Sequence, residues 1–309
     1  MGRILLVRVV VSVLLLVAYG TNASRSYLTK RQELHQKFHI NGTNLIQGSI
    51  VSHGVSSNDP PYFAIHRGEM TPDGSYGCIG TLDVYGFSLK HGQGSAGGIW
   101  MVDSGDGYRS SAKEIGVGWN VVPSVYGDSR THLFTMWTDD GYLQTGCMNT
   151  KCPGFQPEKG ATIAPGDVIE HVSFPKQLRK QNINIKIVKD GASGDWLVHC
   201  GINREAELIG RFPRSLFTGG FAEKADAVTF GGMVTAPVSD PAPMGSGYLP
   251  KDPISSATSV SDIQLVDQNG HASPLTQDLP FILSKPNTYT VGPIVNGKFY
   301  YGGPQQPIA

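Results

Sequence analysis

Residues 182–187 alternate strictly between polar side chains and isoleucine, in the order Asn-Ile-Asn-Ile-Lys-Ile. Successive side chains of a β-strand point to opposite faces, so this pattern predicts a strand with one face in a core and the other in water. Further short runs rich in β-branched and aromatic residues occur at 62–65, 75–84, 98–102, 131–138, 195–199, 262–266 and 298–301. No long amphipathic helical pattern separates them, which favours antiparallel pairing.

Glycine and proline divide these runs into short lengths. The 309-residue chain contains 39 glycines and 20 prolines spread along its length, as expected for many strands joined by tight turns. The sequence therefore predicts an all-β protein, an antiparallel β-sandwich of two sheets that forms a single domain. The stretch 236–260 is rich in Pro, Ser and Gly and predicts a long surface loop, a common place for one wall of a binding site.

The N-terminal residues are typical of an export signal. Arg3 precedes an apolar run over 4–18, and small residues follow it. This layout predicts a signal peptide over 1–23, a short polar leader or linker over 24–60, and the folded domain over 61–304. We therefore expect a secreted, extracellular protein.

The overall charge and the length of the apolar run exclude several partners. The chain has 25 basic and 25 acidic residues, so it lacks the excess positive charge with which proteins bind nucleic acid. The apolar run is shorter than the roughly 20 residues that span a bilayer, so we expect no membrane association after signal cleavage. Asn41 begins an Asn-Gly-Thr sequon, which predicts a glycoprotein once the chain enters the secretory pathway.

Motifs for cofactors, metals and serine-hydrolase chemistry are absent or out of context. The glycines at 92, 94 and 97 fit the spacing of a dinucleotide-binding loop, but no strand–helix–strand pattern surrounds them, so we interpret the segment as a turn. The nine histidines include no HExxH pair, and no GxSxG elbow is present. We expect no cofactor and no metal.

The four cysteines favour disulfide chemistry in an oxidising compartment. Cys147 and Cys152 are close in sequence, and a bond between them would close a tight loop worth roughly 2 kcal/mol. Cys78 and Cys200 could pair across the fold or remain buried free thiols, and we favour free thiols.

The rest of the chain carries a series of short motifs rich in glycine and aromatic residues. In chain order they are Gly118-Trp119, Tyr126-Gly127-Asp128-Ser129-Arg130-Thr131, Met136-Trp137-Thr138-Asp139-Asp140, Thr145-Gly146-Cys147, Cys152-Pro153-Gly154-Phe155, Ile209-Gly210-Arg211-Phe212-Pro213, Phe230-Gly231-Gly232, Met244-Gly245-Ser246-Gly247-Tyr248 and Phe299-Tyr300-Tyr301-Gly302-Gly303-Pro304. Taken together and in this order, they resemble the neprosin domain from about residue 62 to residue 304.

The resemblance implies a secreted, plant-type β-sandwich that, in active members, is a glutamic endopeptidase cleaving beside proline at acid pH. Such chemistry needs two facing carboxyl groups, one activating water and the other donating a proton. The family's first glutamate lies in an Ile-Glu-x-Gly-Trp segment, which here places Gly116 at its position. The second follows paired glycines, which here places Met233 at its position.

Neither glycine nor methionine carries a titratable proton, so both family carboxyls are missing as matched. Glu114 precedes Gly116 by two residues and, on a strand, would project from the same face. Asp139 and Asp140 could also bring a carboxylate to the cleft, although we favour the interpretation that they form a turn after the strand that ends at Thr138.

These residues predict a neprosin-like protein without peptidase activity that retains a cleft for a proline-rich peptide or a cell-wall glycan. The candidate cleft residues are Trp119, Tyr126, Asp128, Trp137 and Tyr142. Two alternatives remain open. One is a weak or altered acid endopeptidase that uses Glu114, Asp139 or Asp140, and the other is a structural protein of the extracellular matrix.

Overall fold

The computed structural model describes residues 61–70, 73–175, 177, 179–251 and 256–304. The predicted signal peptide, the leader over 24–60 and the sequon at Asn41 lie outside these residues. The described residues all belong to one compact unit, Asn44–Ala309.

Sixteen strands are present in this part of the chain: β1 (Tyr62–Glu69), β2 (Gly77–Asp83), β3 (Gly94–Asp103), β4 (Lys113–Val121), β5 (His132–Thr138), β6 (Cys147–Met148), β7 (Gln156–Pro157), β8 (Asn182–Lys189), β9 (Trp196–Ile202), β10 (Glu207–Phe212), β11 (Ala227–Thr235), β12 (Thr258–Val266), β13 (Ala272–Pro274), β14 (Phe281–Leu283), β15 (Thr290–Val291) and β16 (Phe299–Gly302). A short α-helix, α1 (Pro123–Tyr126), and 3-10 turns at Arg109–Ser111, Arg214–Leu216 and Gly219–Ala222 connect some of them.

The strands form two sheets. The seven-stranded sheet has the order β14-β1-β11-β3-β4-β5-β6, and the nine-stranded sheet has the order β15-β16-β12-β2-β8-β9-β10-β7, with β13 paired to β12. Every pairing between these strands is antiparallel. The predicted antiparallel β-sandwich of two sheets is confirmed.

The main core lies between the sheets and contains the alternating isoleucines of β8, all three fully buried. Two tryptophans pack in this core, and their buried indole N–H groups donate hydrogen bonds to main-chain carbonyl oxygens. Trp119 of β4 donates to the carbonyl of Asp83 at 3.0 Å, and Trp196 of β9 donates to that of Phe221 at 3.2 Å. The first of these bonds anchors β4, the strand that also carries Gly116.

The loop between β11 and β12 differs from the sequence prediction. Ala236, Ala242 and Met244 are fully buried, so the expectation of a surface loop is wrong for this part of it. The Tyr289 hydroxyl donates to the carbonyl of Ala242 at 2.9 Å, and the N–H of Met244 donates to the carbonyl of Gly303 at 2.7 Å. Small apolar side chains and these hydrogen bonds allow the segment to form part of the core.

The predicted disulfide is present, and the other two cysteines are free, which is the alternative that we favoured. Cys147 and Cys152 form a disulfide. Cys78 on β2 and Cys200 on β9 are buried free thiols on strands that lie on either side of β8. None of the described helices has the length and apolar character needed to cross a bilayer.

Candidate functional site

The strand register shows which residues share the face of the seven-stranded sheet that points away from the main core, here called the outer face. One row across five adjacent strands consists of Arg67, Thr229, Trp100, Gly116 and Met136. Residues directly opposite each other in antiparallel strands project to the same side. Gly116 therefore lies on the outer face, in the middle of the sheet.

A second row, four residues further along β4, contains the other family position. It consists of Phe63, Met233, Ala96, Asn120 and His132. Because side chains alternate with a period of two, a shift of four residues keeps the same face. The two positions at which the resemblance places glutamates thus share the outer face, on strands separated by β3.

The outer face carries a hydrophobic cluster of its own, separate from the main core. Its buried members are Phe63, Ile65, Ala96, Trp100, Val102, Ala112, Phe134, Met136, Tyr142, Met148, Ala227, Met233 and Ile282. Aromatic and thioether side chains make up more than half of this cluster, which includes Met233 and surrounds Gly116.

Gly116 has no room for a side chain. A Cβ atom built there would lie 2.5 Å from Cδ1 of Trp100 and 2.8 Å from Cγ of Met136, closer than carbon atoms approach each other. Trp100 is only 1% exposed, and its rigid indole ring cannot withdraw as a flexible side chain could. The Trp100 ring therefore occupies the space that a carboxylate at position 116 would need.

Met233 belongs to the same cluster and is 6% exposed. It is paired directly with Ala96 of β3 and Phe63 of β1. Neither of these two direct neighbours has an ionisable group, so neither can supply a proton or act as a base beside Met233.

Glu114 is the fully buried carboxyl on this face among the residues described. Tyr142 donates a hydrogen bond to its Oε1 at 2.9 Å, while Oε2 has no hydrogen-bond partner. Burial raises the pKa of Glu114 from 4.5 to about 7, although the Tyr142 hydrogen bond and the charge of Arg67 act in the opposite direction. Well below pH 7 the carboxyl group is therefore mostly uncharged.

The carboxylate of Asp139 forms an ion pair and two hydrogen bonds within the fold. One of its oxygens lies 3.1 Å from Nζ of Lys113, and the carboxylate accepts from the N–H and the hydroxyl of Thr218 at 2.9 and 2.8 Å. These contacts join the end of β5 to the segment before β11, so Asp139 acts as a connector.

Asp140 closes the turn that follows β5. Its carboxylate accepts from the N–H groups of Leu143, Gln144 and Thr145 at 2.9–3.1 Å. It also accepts from the Thr145 hydroxyl at 2.7 Å. The structure therefore places both aspartates in the connection after β5 rather than beside Gly116.

Three of the five predicted cleft residues lie at the ends of the outer face. The ring of Tyr126 stacks on His132 with centroids 3.8 Å apart. Asp128 accepts from Nε2 of His132 at 3.1 Å and from Arg130 at 2.8 Å. Tyr142 lies at the opposite end, on Glu114.

The structure places Trp119 and Trp137 elsewhere. Trp119 is three residues from Gly116, so it points to the other side of β4 and enters the main core. Trp137 also belongs to the main core, where its ring meets Phe217 edge-on at 5.9 Å. Neither side chain lines the outer face, which corrects the sequence-based assignment of these two residues to a cleft.

The donor set does not suggest a metal centre. Among the described residues, His, Cys, Asp and Glu side chains form no group of three or more that could hold a metal ion. The outer face thus combines the apolar cluster with the buried carboxyl group of Glu114 and with polar side chains towards its edges, among them Arg67, Asn120 and His132.

Comparison with known proteins is consistent with this architecture. A family model described as Neprosin matches residues 91–304, more than half of the chain. The chain belongs to the Neprosin family.

Two solved structures are also similar to this Neprosin-family protein. One is Scytalido-glutamic peptidase with a peptide-based transition-state analog, with 10% sequence identity and a TM-score of 0.38, covering 78% of this chain and 96% of that chain. The other is SCP-B, a member of the eqolisin family of peptidases, in a complex with the tripeptide Ala-Ile-His. It has 9% identity and a TM-score of 0.37, covering 79% of this chain and 98% of that chain.

Sequence reasoning did not identify Trp100, although this residue determines what position 116 can hold. Trp100 pairs with Gly116 across the β3–β4 connection, and that register depends on the length and shape of the intervening loop. The signal that could have pointed to it is the loss of a side chain at 116. A vacated buried position is normally filled by a larger neighbour, because interiors are closely packed.

Proposed function

We propose that this protein is an exported Neprosin-family member without glutamic peptidase activity that binds an extended, proline-rich peptide on the outer face of its seven-stranded sheet. The observation that carries the proposal is the contact between Trp100 and Gly116. At position 116, where the resemblance places the first glutamate, there is a glycine, and the Trp100 ring fills the space that a side chain would need. The second position is a methionine within the same apolar cluster.

The chemistry of the outer face favours a peptide over a glycan. Proline-rich segments pre-form an extended helix and bind to surfaces lined by aromatic rings. Phe63 of β1, Trp100 of β3 and Phe134 of β5 supply such rings on alternate strands, and because each is 1% exposed, a bound peptide would reach them only if the residues that cover them move. A neutral glycan would need many polar partners, whereas this cluster is predominantly apolar.

Calorimetric titration with a proline-rich peptide and with a neutral oligosaccharide tests the ligand. Ala96→Trp places a large side chain beside Met233 in the buried cluster; provided that its circular dichroism spectrum shows it to be folded, this variant should not bind the peptide. Ala192→Trp, in an exposed turn, adds the same ring elsewhere and should leave binding unchanged. Peptide binding that survives Ala96→Trp would exclude this face. If neither ligand binds or shifts the melting temperature of the protein, the result favours the alternative that it is a structural protein of the extracellular matrix.

A second candidate function is an altered acid endopeptidase that uses Glu114. Its raised pKa and its unpartnered Oε2 are features of a functional carboxyl group. Such an enzyme would give an acid-range pH–rate profile with titrating limbs, and Glu114→Gln would remove the activity. No turnover from about pH 2 to 7 supports the binding function instead.

Export is part of the proposal. We expect the protein recovered from the medium of expressing eukaryotic cells to begin after Ala23 and to carry a glycan at Asn41. Intact-mass measurement before and after enzymatic deglycosylation tests both points. Retention inside the cell with an uncut N-terminus would contradict export.

A further inference from the structure

The nine-stranded sheet carries a cavity of about 500 Å³. Its lining residues lie on or beside β2, β8, β12 and β13 and in the turns that follow β8 and β12, together with Glu223. This volume is within the roughly 300–1,000 Å³ that is typical of small-molecule sites. These four strands all belong to the nine-stranded sheet, so the cavity is separate from the candidate site on the seven-stranded sheet.

The strand register places the floor of the cavity on the face of this sheet that points away from the main core. The isoleucines of β8 enter the main core, so Lys186 and Val188, which alternate with them, project from the opposite face. Ile79 of β2 pairs with Lys186. Val266 and Ala272 lie in the same row as Val188. The floor is therefore mostly apolar and carries one lysine.

Two turns contribute carboxylates to the lining, and both carboxylates already have partners. In the turn after β8, Asp190 accepts from the N–H of Ser193 at 3.0 Å and from its hydroxyl at 2.5 Å. In the turn after β12, Asp267 accepts from the N–H groups of Asn269 and His271 at 2.8 and 2.9 Å. These carboxylates stabilise their own turns and do not pair with the lysines of the cavity.

The lysines of the cavity lack hydrogen-bond acceptors. Glu223 forms its ion pair with Arg214 instead. Nζ of Lys189 lies 4.6 Å from the centroid of the Trp196 ring, and this buried nitrogen has no hydrogen-bond partner. In the part of the chain that the structure describes, the ammonium group of Lys186 has neither a hydrogen bond nor an ion pair. A carboxylate bound in the cavity would supply acceptors to both lysines through charge-assisted hydrogen bonds.

The remaining polar lining matches hydroxyl groups. Gln268 and Asn269 line the cavity from the turn after β12, and their side-chain amides can both donate and accept hydrogen bonds. Tyr76, which also lines it, combines an aromatic ring with a hydroxyl group. A ring that bears one carboxylate and several hydroxyl groups therefore fits the lysines, the amides and the apolar floor together.

We propose that this cavity binds a sugar acid, whose carboxylate pairs with Lys186 and Lys189 and whose hydroxyl groups contact Gln268 and Asn269. The inference is independent of the proposed peptide site, because the two sites lie on different sheets.

The first test compares three ligands by calorimetric titration at pH 6, where Lys189 is protonated although burial lowers its pKa to about 8. Methyl glucuronide has the carboxylate and the hydroxyl groups, methyl glucoside lacks the carboxylate, and cyclohexanecarboxylate lacks the hydroxyl groups. The glucuronide should bind about tenfold or more tightly than either of the others, because a hydrogen bond to a charged group is worth about that factor. No binding of the glucuronide, or equal affinity for either of the other two ligands, would overturn the proposal.

The second test removes one positive charge. Lys186→Gln should weaken glucuronide binding about tenfold or more. Lys159→Gln, in an exposed turn outside the cavity, removes the same charge and should leave the affinity unchanged. Equal affinities of the two variants would contradict the assignment of the carboxylate to Lys186.

The third test uses the natural protein and does not depend on the folding of a variant. With ¹⁵N-labelled glycine, the amide signals of Gly191, Gly194 and Gly270, which line the cavity, should shift as methyl glucuronide is added. Shifts confined to glycines elsewhere in the chain would show that the sugar acid binds at another place and would overturn the proposal.

Discussion

Replacing Glu114 by glutamine should stabilise the protein, and by an amount that depends on pH. Glutamine has nearly the same shape, its carbonyl oxygen can accept the hydrogen bond from Tyr142, and it carries no charge. In the natural protein, burial raises the pKa of Glu114 from 4.5 to about 7. Between about pH 4.5 and 7, Glu114 therefore holds a proton in the folded state that it has already released in the unfolded state.

The sign and the size follow from linkage. Stability of the natural protein falls as the pH rises from about 4.5 to about 7, because folding then requires proton uptake, and above this window the full cost of the buried carboxylate is present. A difference of about 2.5 pKa units corresponds to about 3 kcal/mol. Glu114 is fully buried, so solvent screening does not reduce this figure.

Urea denaturation at about pH 4 and about pH 8 measures the effect. Glu114→Gln should match the natural protein at the lower pH and exceed its free energy of unfolding by about 3 kcal/mol at the higher pH. Glu69→Gln is the control, because Glu69 is exposed and its surface ion pair with Arg67 is worth less than about 1 kcal/mol. A glutamine variant that is no more stable at the higher pH would refute the reasoning.

Two further predictions concern crowding and buried charge. Gly116→Ala should lower the free energy of unfolding by about 1–3 kcal/mol in urea, because its Cβ would collide with Trp100. Gly191 has open space around it, so Gly191→Ala should change the free energy of unfolding by less than about 0.5 kcal/mol. Equal changes for the two variants would contradict the packing argument. Lys189→Met should raise the melting temperature at pH 6, because burial lowers the Lys189 pKa to about 8 and disfavours the ammonium form. The gain in melting temperature should shrink as the pH approaches 10.5, where the lysine is neutral in both states. A gain that does not depend on pH would contradict the assignment to a buried charge.

Much of the sheet structure could be predicted from local pattern, but the strands that carry the site could not. Every run singled out for its β-branched and aromatic content lies in a strand or overlaps one. The runs did not include β4 and β11, which contain Gly116, Gly118, Gly231 and Gly232. Glycine is depleted in strands, so its presence conceals them. A Cβ at Gly232 would lie 2.3 Å from the ring of Tyr301, so that glycine is required by tertiary packing.

The candidate site was partly predictable for a similar reason. Motif order located the two family positions, and the period of two placed Glu114 on the face of Gly116. Motifs do not say which way an aromatic residue points, so Trp119 and Trp137 were assigned to a cleft although they enter the core. The contact of Tyr142 with Glu114 depends on a turn in which Tyr142 has a φ of 63°, which local sequence does not specify.

The measurement that tests the central claim most directly is turnover of a proline-containing fluorogenic peptide by the purified mature protein from about pH 2 to 7. We expect no cleavage by the natural protein. The double variant Gly116→Glu with Met233→Glu should also be inactive, because Trp100 occupies the space of the first carboxylate. Adding Trp100→Ala to that variant should open this space and produce acid-range cleavage. Cleavage by the natural protein that disappears in Glu114→Gln would contradict the account and identify Glu114 as a working catalytic residue.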